Sequence, residues 1–185
     1  LIDTNRTTIA SFLKKHDYST ACIGKWHLGF GEEKPDFNGD LKPGPLEVGF
    51  DYYFGIPVVN SHPPFVYVKN HSVVGFDPND PFVFDCRGEH SSEQYPEKYW
   101  TDKICGAKKA HALYKDDEVC TTLTKKAVNW IEENKEKPFF LYFATTKLRP
   151  TSTIPLRRTI DSREPAVTGH MEILSMNWTG RSARS

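Results

Sequence analysis

The sequence predicts an α/β fold with a mainly parallel central sheet, and three observations support this prediction. Two segments, residues 7–23 and 117–146, each consist of a helical pattern followed by a strand pattern. The second strand is almost wholly apolar, which is typical of a parallel strand with both faces covered. The chain has 185 residues, 38% of them hydrophobic, which suits one domain or part of one.

The first helix is predicted over Thr7–Lys15. Ile9, Phe12 and Leu13 fall at positions i, i+3 and i+4 and would form its buried stripe. A strand is then predicted over Tyr18–Ile23. This helix and strand form the first αβ unit.

A cationic motif, Gly24-Lys25-Trp26-His27-Leu28-Gly29, follows that strand. Residues two apart in a strand point to the same face, so Lys25 and His27 are expected to converge on one anion, with Trp26 buried on the opposite face. The carboxyl ends of parallel strands are where ligands bind in open α/β sheets. On spacing alone, a solvated lysine and a structural histidine are the commoner outcome, and the surrounding residues must decide.

The middle of the chain is rich in loops. Residues 31–48 are polar and contain several Gly and Pro, and Gly49-Phe50-Asp51-Tyr52-Tyr53-Phe54-Gly55 is dense in aromatic side chains. Residues 56–118 have weak periodicity and are interpreted as a long insertion of short strands and loops. Such a segment is a natural place for substrate specificity.

The second αβ unit begins with the best helical pattern, Asp117–Lys135. Its apolar stripe consists of Val119, Leu123, Ala127, Val128 and Ile131. The segment Pro138–Thr146 then predicts a central parallel strand, buried on both faces.

Composition excludes several classes of function. Twenty-four basic and 24 acidic residues balance, which argues against nucleic acid or an anionic membrane as the main partner. No apolar run reaches the length of a membrane span. The four cysteines lack Cys-x-x-Cys spacing, so a structural zinc site is not expected, and one disulfide of undecided pairing is possible. Leu1 is neither an initiator Met nor part of a signal peptide, and an internal start within a longer gene product is expected.

The ordered set of motifs resembles the sulfatase family of the alkaline phosphatase superfamily, in particular the branch of arylsulfatase A and N-acetylgalactosamine-6-sulfatase. The resemblance covers residues 1 to about 146. It implies an alkaline phosphatase-like sandwich with a mainly parallel central sheet, here incomplete at both sequence ends. The motifs that carry it are Thr8-Ile9-Ala10-Ser11-Phe12-Leu13, Tyr18 through Gly29, Gly49-Phe50-Asp51, Gly55-Ile56-Pro57 and Lys137-Pro138-Phe139-Phe140-Leu141-Tyr142.

The resemblance implies a sulfuric ester hydrolase that depends on calcium and on a formylglycine made from Cys or Ser. Lys25 would bridge the sulfate and the formylglycine hydroxyl, and His27 would bond the formylglycine diol and help it release sulfate. Ser61 falls near another active-site Ser of the family, although a short insertion separates it from the Ile-Pro pair. His62 could contact substrate, but a loop histidine without that role is the commoner case.

The chain also departs from the family pattern. It has no Cys-x-Pro-x-Arg motif. That motif and an Asp-Asp calcium pair are expected upstream of Leu1, and an Asp-Asn calcium pair and a further Lys beyond Ser185. Where the family has Asn-x-His-x-Pro, this chain has Thr145-Thr146-Lys147-Leu148-Arg149-Pro150, without a His. No catalytic turnover by this fragment alone is therefore expected.

Residues 147–185 carry no sustained period and none of the family's later motifs. Back-translation of these residues into codons recovers those motifs in another reading frame. In that frame, each codon begins at the third base of a codon of the given sequence. Met176–Thr179 then encodes Glu-Leu-Asp whatever the codon choice, His170–Ile173 permits Tyr-Gly-Asp, and Ile160–Ala166 permits Arg-Phe-Gln-Gly-Thr-Ser. One base lost near Thr146 would produce this offset, so an out-of-frame tail is predicted.

Two alternatives remain open from the residues. One is a phosphatase or phosphodiesterase of the same superfamily, and the other is a non-catalytic remnant that binds sulfated glycans. For a sulfatase the partner is a sulfate ester, either a sulfated glycan or an aryl sulfate, and the segment 56–118 would select among them. The family resemblance implies a periplasmic, secreted or lysosomal protein.

Overall fold

The computed structural model describes residues 2–32, 34–58, 63–84 and 104–146, all within one compact unit. The helices are α1 (Ile9–Lys14), α2 (Lys108–Ala112) and α3 (Val119–Asn134), the last preceded by a 3₁₀ turn, Asp116–Glu118. The strands are β1 (Ser19–Lys25), β2 (Tyr52–Ile56), β3 (Val68–Lys69), β4 (Ser72–Val73), β5 (Val83–Phe84), β6 (Ile104–Cys105) and β7 (Phe139–Ala144). None of the helices described is long and apolar enough to cross a membrane.

Five strands form the central sheet in the order β4-β3-β2-β1-β7. Strands β2 and β7 both run parallel to β1, whereas β3 and β4 add an antiparallel hairpin at one side. Strands β5 and β6 form a separate antiparallel pair. The predicted α/β class with a mainly parallel central sheet is confirmed.

Helix α1 begins with a capping box in which Thr8 and Ser11 bond each other's backbone N–H groups. The apolar stripe predicted for this helix is buried only in part, since Leu13 is half-buried and its other two residues are exposed. Ile9 is 68% exposed and Phe12 is 51% exposed, while the buried residue is Ala10. The cause is a close backbone approach, because a Cβ built on Gly49 would lie 2.3 Å from the Ser11 nitrogen. Small residues face that contact, and the large apolar ones face outward.

The Gly-Phe-Asp motif ties α1, β1 and β2 together. Asp51 accepts hydrogen bonds from the backbone N–H and the hydroxyl of Thr20, both at 2.9 Å, and forms an ion pair with Lys14 at 2.7 Å. Burial works to raise the pKa of Asp51, but the bonds from Lys14 and Thr20 outweigh it and lower that pKa below its usual value. The motif therefore has a structural role in this chain.

Helix α3 follows its prediction closely. Val119, Leu123 and Ala127 are buried against the sheet. The predicted stripe is wrong at one position, because Val128 is 50% exposed and Trp130 is buried instead. A helix turns 100° per residue, and the buried face continues through position 130.

Strand β7 is parallel to β1 as predicted, but its predicted central position does not match the sheet. Among the described residues β7 pairs with β1 alone, and its side chains are half-buried or exposed. Tyr142 is 49% exposed, although its ring stacks on Phe50 at a centroid distance of 6.4 Å. An apolar strand at an edge keeps both faces only partly covered.

The segment 56–118 contributes the β3–β4 hairpin, the β5–β6 pair and α2. Cys105 in β6 is disulfide-bonded. His111 in α2 is buried, with its ring against Phe82. The expected substrate residues Ser61 and His62, and the whole of the predicted out-of-frame tail 147–185, lie outside the described residues.

Candidate functional site

The three parallel strands end together at one edge of the sheet. Gly24 in β1 is paired with Gly55 in β2 and with Ala144 in β7. Lys25 is the last residue of β1, so it lies at the carboxyl end of the middle strand of this trio. Ligands are expected to bind at the carboxyl ends of the strands in a parallel sheet.

The prediction that strand pleating directs Lys25 and His27 to the same face is wrong, because the strand ends at Lys25. His27 has a φ of 58°, in the left-handed region that residues other than glycine seldom occupy. Its backbone N–H donates to the carbonyl oxygen of Pro57 at 2.9 Å, and that of Trp26 donates to Ile56 at 3.0 Å. The direction of the His27 side chain is therefore set by a turn anchored on β2 and not by strand pleating. Strained backbone of this kind is common at functional sites.

Trp26 is buried, as predicted, and holds this turn from below. Its indole N–H donates to the carbonyl oxygen of Gly29 at 2.7 Å. Its ring meets the rings of Phe50 and Tyr53 edge-on, at centroid distances of 6.5 and 6.2 Å. The motif thus forms a turn that packs on aromatic rings, with the Lys25 side chain half-buried and the His27 side chain exposed.

The glycine before the lysine is required by close packing. A Cβ on Gly24, whose φ is 128°, would lie 2.0 Å from the carbonyl oxygen of Ala144. A Cβ on Gly55 would lie 1.7 Å from the carbonyl oxygen of Gly24. Both strands can approach β1 this closely only because these two positions carry no side chain.

The side chains of Lys25 and His27 are available to a ligand. Lys25 is half-buried and His27 is exposed, and within the described residues neither side chain forms a hydrogen bond or an ion pair. Lys14, in contrast, is neutralised by Asp51. A half-buried ammonium that forms no ion pair with a carboxylate among these residues is suited to hold an anion.

The cysteines of the described residues do not supply a catalytic nucleophile of the expected type. Cys22 is buried in β1, and burial raises the pKa of its thiol to about 12. Cys120 donates a hydrogen bond to the carbonyl oxygen of Thr146 at 2.7 Å, and Cys105 is disulfide-bonded. Over residues 2–32, 34–58, 63–84 and 104–146, no group of three His, Cys, Asp or Glu side chains could hold a metal ion.

Sequence reasoning missed two features of this edge. Tyr53 is fully buried, and its hydroxyl lies between the ends of β1 and β2. Cys120, in the first turn of α3, joins that helix to Thr146 at the end of β7. The Tyr-Phe-Gly pattern in β2 offered a signal for the first, because residues two apart in a strand share a face and Gly55 leaves room beside Tyr53.

Comparison with known proteins connects this site to one family. Residues 1–147 match the Sulfatase family model. The chain is 33% identical over 201 residues to N-acetylgalactosamine-6-O-sulfatase of Bacteroides thetaiotaomicron, an alignment that covers 97% of this chain and 39% of that protein. It is 47% identical over 60 residues to arylsulfatase G of Mus musculus, which covers 32% of this chain and 10% of that one.

The fold comparison agrees with the sequence comparison. A solved structure from work on the metabolism of multiple glycosaminoglycans by Bacteroides thetaiotaomicron superposes with a TM-score of 0.66 at 34% identity, and it covers 83% of this chain and 35% of that one. The chain thus spans less than two fifths of the length of these two relatives. The match of the family model over residues 1–147, together with this fold, shows that the chain belongs to the sulfatase family.

Proposed function

We propose that this chain supplies the sulfate-binding wall of a sulfuric ester hydrolase. The observation that carries the proposal is the pair Lys25 and His27, held at the carboxyl edge of the parallel strands by an anchored, left-handed turn. The transition state of sulfate ester cleavage spreads negative charge over several oxygens, and fixed cations stabilise it. The family match favours this function over a phosphatase or phosphodiesterase.

In this proposal Lys25 acts as a point charge on the sulfate oxygens. A half-buried ammonium interacts with an anion more strongly than one in bulk water, because the surrounding protein lowers the effective dielectric constant. His27 carries ring nitrogens that can donate a hydrogen bond or a proton to a departing oxygen.

The residues described do not fit a calcium site or a formylglycine. They contain no cluster of metal-ligating side chains, and the thiols of Cys22, Cys105 and Cys120 are buried, oxidised or bonded to backbone. In the proposal, the nucleophile and the calcium ligands come from parts of the full gene product outside these residues. The isolated chain is therefore proposed to bind sulfate without hydrolysing its esters.

Hydrolysis of 4-nitrophenyl sulfate tests the proposal in two proteins. The 185-residue chain is expected to show no turnover above its Lys25→Ala variant. The intact gene product is expected to turn over, and to lose at least about 100-fold in kcat with Lys25→Ala or His27→Ala, as for removal of a transition-state contact. Lys115→Ala is a matched control, since Lys115 pairs with Glu118 on the surface. Full activity of the Lys25→Ala intact protein would contradict the proposal.

A sulfated glycan is the first substrate to test. The relative that aligns over 97% of the chain is an N-acetylgalactosamine-6-O-sulfatase, so 6-O-sulfated N-acetylgalactosamine is the specific candidate. Turnover of an aryl sulfate alone, with no release of sulfate from the sugar, would place the intact protein in the arylsulfatase class instead.

We also propose that the protein works in an oxidising compartment, either the periplasm, the exterior or the lysosome. The disulfide at Cys105 supports this, because structural disulfides persist mainly outside the cytosol. A mass increase of about 2 Da on reduction of the protein isolated from its source would reveal the bond.

The tail from residue 147 onward is proposed to be translated out of frame. The family match ends at residue 147, where the family motifs also end in the displayed frame. The alignment with the Bacteroides relative continues further, so the DNA itself is the decisive test. Resequencing is expected to find one base missing near Thr146. An intact reading frame through residues 147–185 would contradict the proposal.

A further inference from the structure

Tyr53 occupies an unusual place for a polar side chain. It is the largest of the fully buried side chains and lies in β2, with its ring against Trp26 and Phe30. Burial raises the pKa of its phenol well above the usual value, so the hydroxyl stays protonated and can donate. Buried hydroxyl groups in proteins are nearly always hydrogen-bonded.

The partners of that hydroxyl are the two backbone carbonyls at the ends of neighbouring strands. The Tyr53 hydroxyl donates to the carbonyl oxygen of Ile56 at 3.2 Å and lies 3.5 Å from that of Gly24. A phenol has a single proton, so it bonds one of the two oxygens at a time. Gly24 directly precedes Lys25, and the same Ile56 oxygen accepts the N–H of Trp26.

The space for this hydroxyl exists because of the glycines. A Cβ on Gly55 would lie 2.9 Å from the Tyr53 oxygen and 1.7 Å from the Gly24 oxygen. The hydroxyl thus lies next to the contact between Gly55 and the Gly24 carbonyl, immediately before the chain turns into Lys25, Trp26 and His27.

We infer that Tyr53 is a positioning residue of the sulfate site, whose hydroxyl donates to the Ile56 carbonyl, beside that of Gly24, and so holds the turn that carries Lys25 and His27. This inference rests on the proposed function. Tyr53 itself is buried beneath the turn and touches no substrate. Without the hydroxyl, the Ile56 carbonyl loses a buried donor, and the turn can relax from the strained conformation at His27.

The test compares Tyr53→Phe with a matched control, Tyr67→Phe. Tyr67 is also a buried tyrosine; its hydroxyl lies near Thr122 and has no hydrogen-bond partner within the described part of the chain. Both variants lose one oxygen and keep the ring, so their packing is conserved. Only the first removes a bond to the site.

Two NMR measurements on the full 185-residue chain provide the readouts. The backbone shifts of His27 report its left-handed conformation, and a titration with inorganic sulfate reports affinity at Lys25 and His27. For Tyr53→Phe we expect loss of the left-handed shifts and about fivefold weaker sulfate binding, the effect of one hydrogen bond. For Tyr67→Phe we expect wild-type values in both.

The outcomes separate the inference from the proposed function. If the wild-type chain binds no sulfate at these residues, the proposed function fails, and the conformation of His27 in Tyr53→Phe still decides the inference. Unchanged shifts and affinity in a folded Tyr53→Phe protein would overturn it. Should that variant fail to fold, hydrogen exchange in the wild type decides. A His27 amide as protected as those of β1 supports the inference, and rapid exchange overturns it.

Discussion

The carboxylate of Asp51 accepts two hydrogen bonds from Thr20, one from the backbone N–H and one from the hydroxyl, both at 2.9 Å. This pair joins the start of β2 to β1, and Lys14 adds an ion pair from α1. Asp51→Ala is expected to lower the free energy of unfolding by about 1–2 kcal/mol, because the carboxylate is partly exposed and its ion pair is screened. Urea denaturation measures the change.

The matched control for that variant is Asp40→Ala. Asp40 is an exposed residue whose ion pair with Lys42, at 3.2 Å, contributes little. A change within about 0.5 kcal/mol is expected. Equal effects of the two substitutions would contradict the structural role of the Gly-Phe-Asp motif.

The carboxylate of Asp51 is also expected to make the free energy of unfolding depend on pH. The pKa of Asp51 is lower in the folded chain than in the unfolded one, so its contribution is present above the unfolded value, about 3.9, and is lost as pH falls through the folded value. Unfolding free energies of wild type and Asp51→Ala, measured from pH 6 to pH 3, should converge toward the acid end. A constant difference over that range would refute this linkage.

Gly24 is expected to tolerate no side chain. Gly24→Ala places a Cβ 2.0 Å from the Ala144 carbonyl oxygen at a φ of 128°, so backbone must shift on two strands. A loss of at least about 2–3 kcal/mol is expected, measured by thermal or urea unfolding. Gly39→Ala is the control, because among the described residues a Cβ there comes within 3.4 Å of the end of the Asp36 side chain alone, at 2.8 Å. Wild-type stability of Gly24→Ala would show that β1 and β7 are not packed as described.

His111 predicts a second pH effect, in a different range. Burial lowers the pKa of His111, while the carbonyls of Ala107 and Gly106 and the charge of Asp80 oppose that shift without cancelling it. Its Nε2 is buried and has no partner among the described residues, and its Nδ1 lies 3.0 Å from the Ala107 carbonyl oxygen. The folded chain therefore resists protonation that the unfolded chain accepts near pH 6.5.

Stability should consequently fall as pH decreases from 7.5 to 5.5, and part of that fall should disappear in His111→Leu. His16→Leu is the control, since it removes an exposed histidine and no buried one. Urea unfolding at the two pH values gives the comparison. The same slope in wild type and His111→Leu would contradict the burial of a neutral imidazole.

The two free thiols should differ in reactivity. Because burial raises the pKa of Cys22 to about 12, its thiolate is roughly 1,000 times scarcer at a given pH than for a thiol near 9. Iodoacetamide should label the half-buried Cys120 first in the native chain and label both thiols after unfolding. Peptide mass spectrometry follows the two sites, and early labelling of Cys22 would contradict its place in the core.

Periodicity and motif spacing predicted the elements of the fold better than their surroundings. The predicted bounds of α3 and β7 lie within two residues of the observed ones, because long apolar patterns reflect burial directly. The exposure of Ile9 and Phe12 was not predictable, since it follows from the approach of Gly49, a residue distant in sequence. An amphipathic pattern shows that a helix has an apolar face, and tertiary contacts decide which residues are covered.

The residues of the site could be predicted from the sequence, but their geometry could not. The glycine-bounded motif identified Lys25 and His27, and the parallel strands placed them at the expected edge. The left-handed conformation of His27 was missed because it depends on bonds to Pro57 and Ile56 from another strand. Tyr53 was missed for the same reason, as its partners are backbone carbonyls that no sequence pattern displays.

The most direct test of the central claim is a sulfate titration of the isolated chain, followed through the side-chain NMR signals of Lys25 and His27. We expect both signals to move together with one dissociation constant, and Lys25→Ala to abolish the response at His27. Signals that move independently, or a His27 response unchanged by Lys25→Ala, would contradict the claim that the two residues hold one anion.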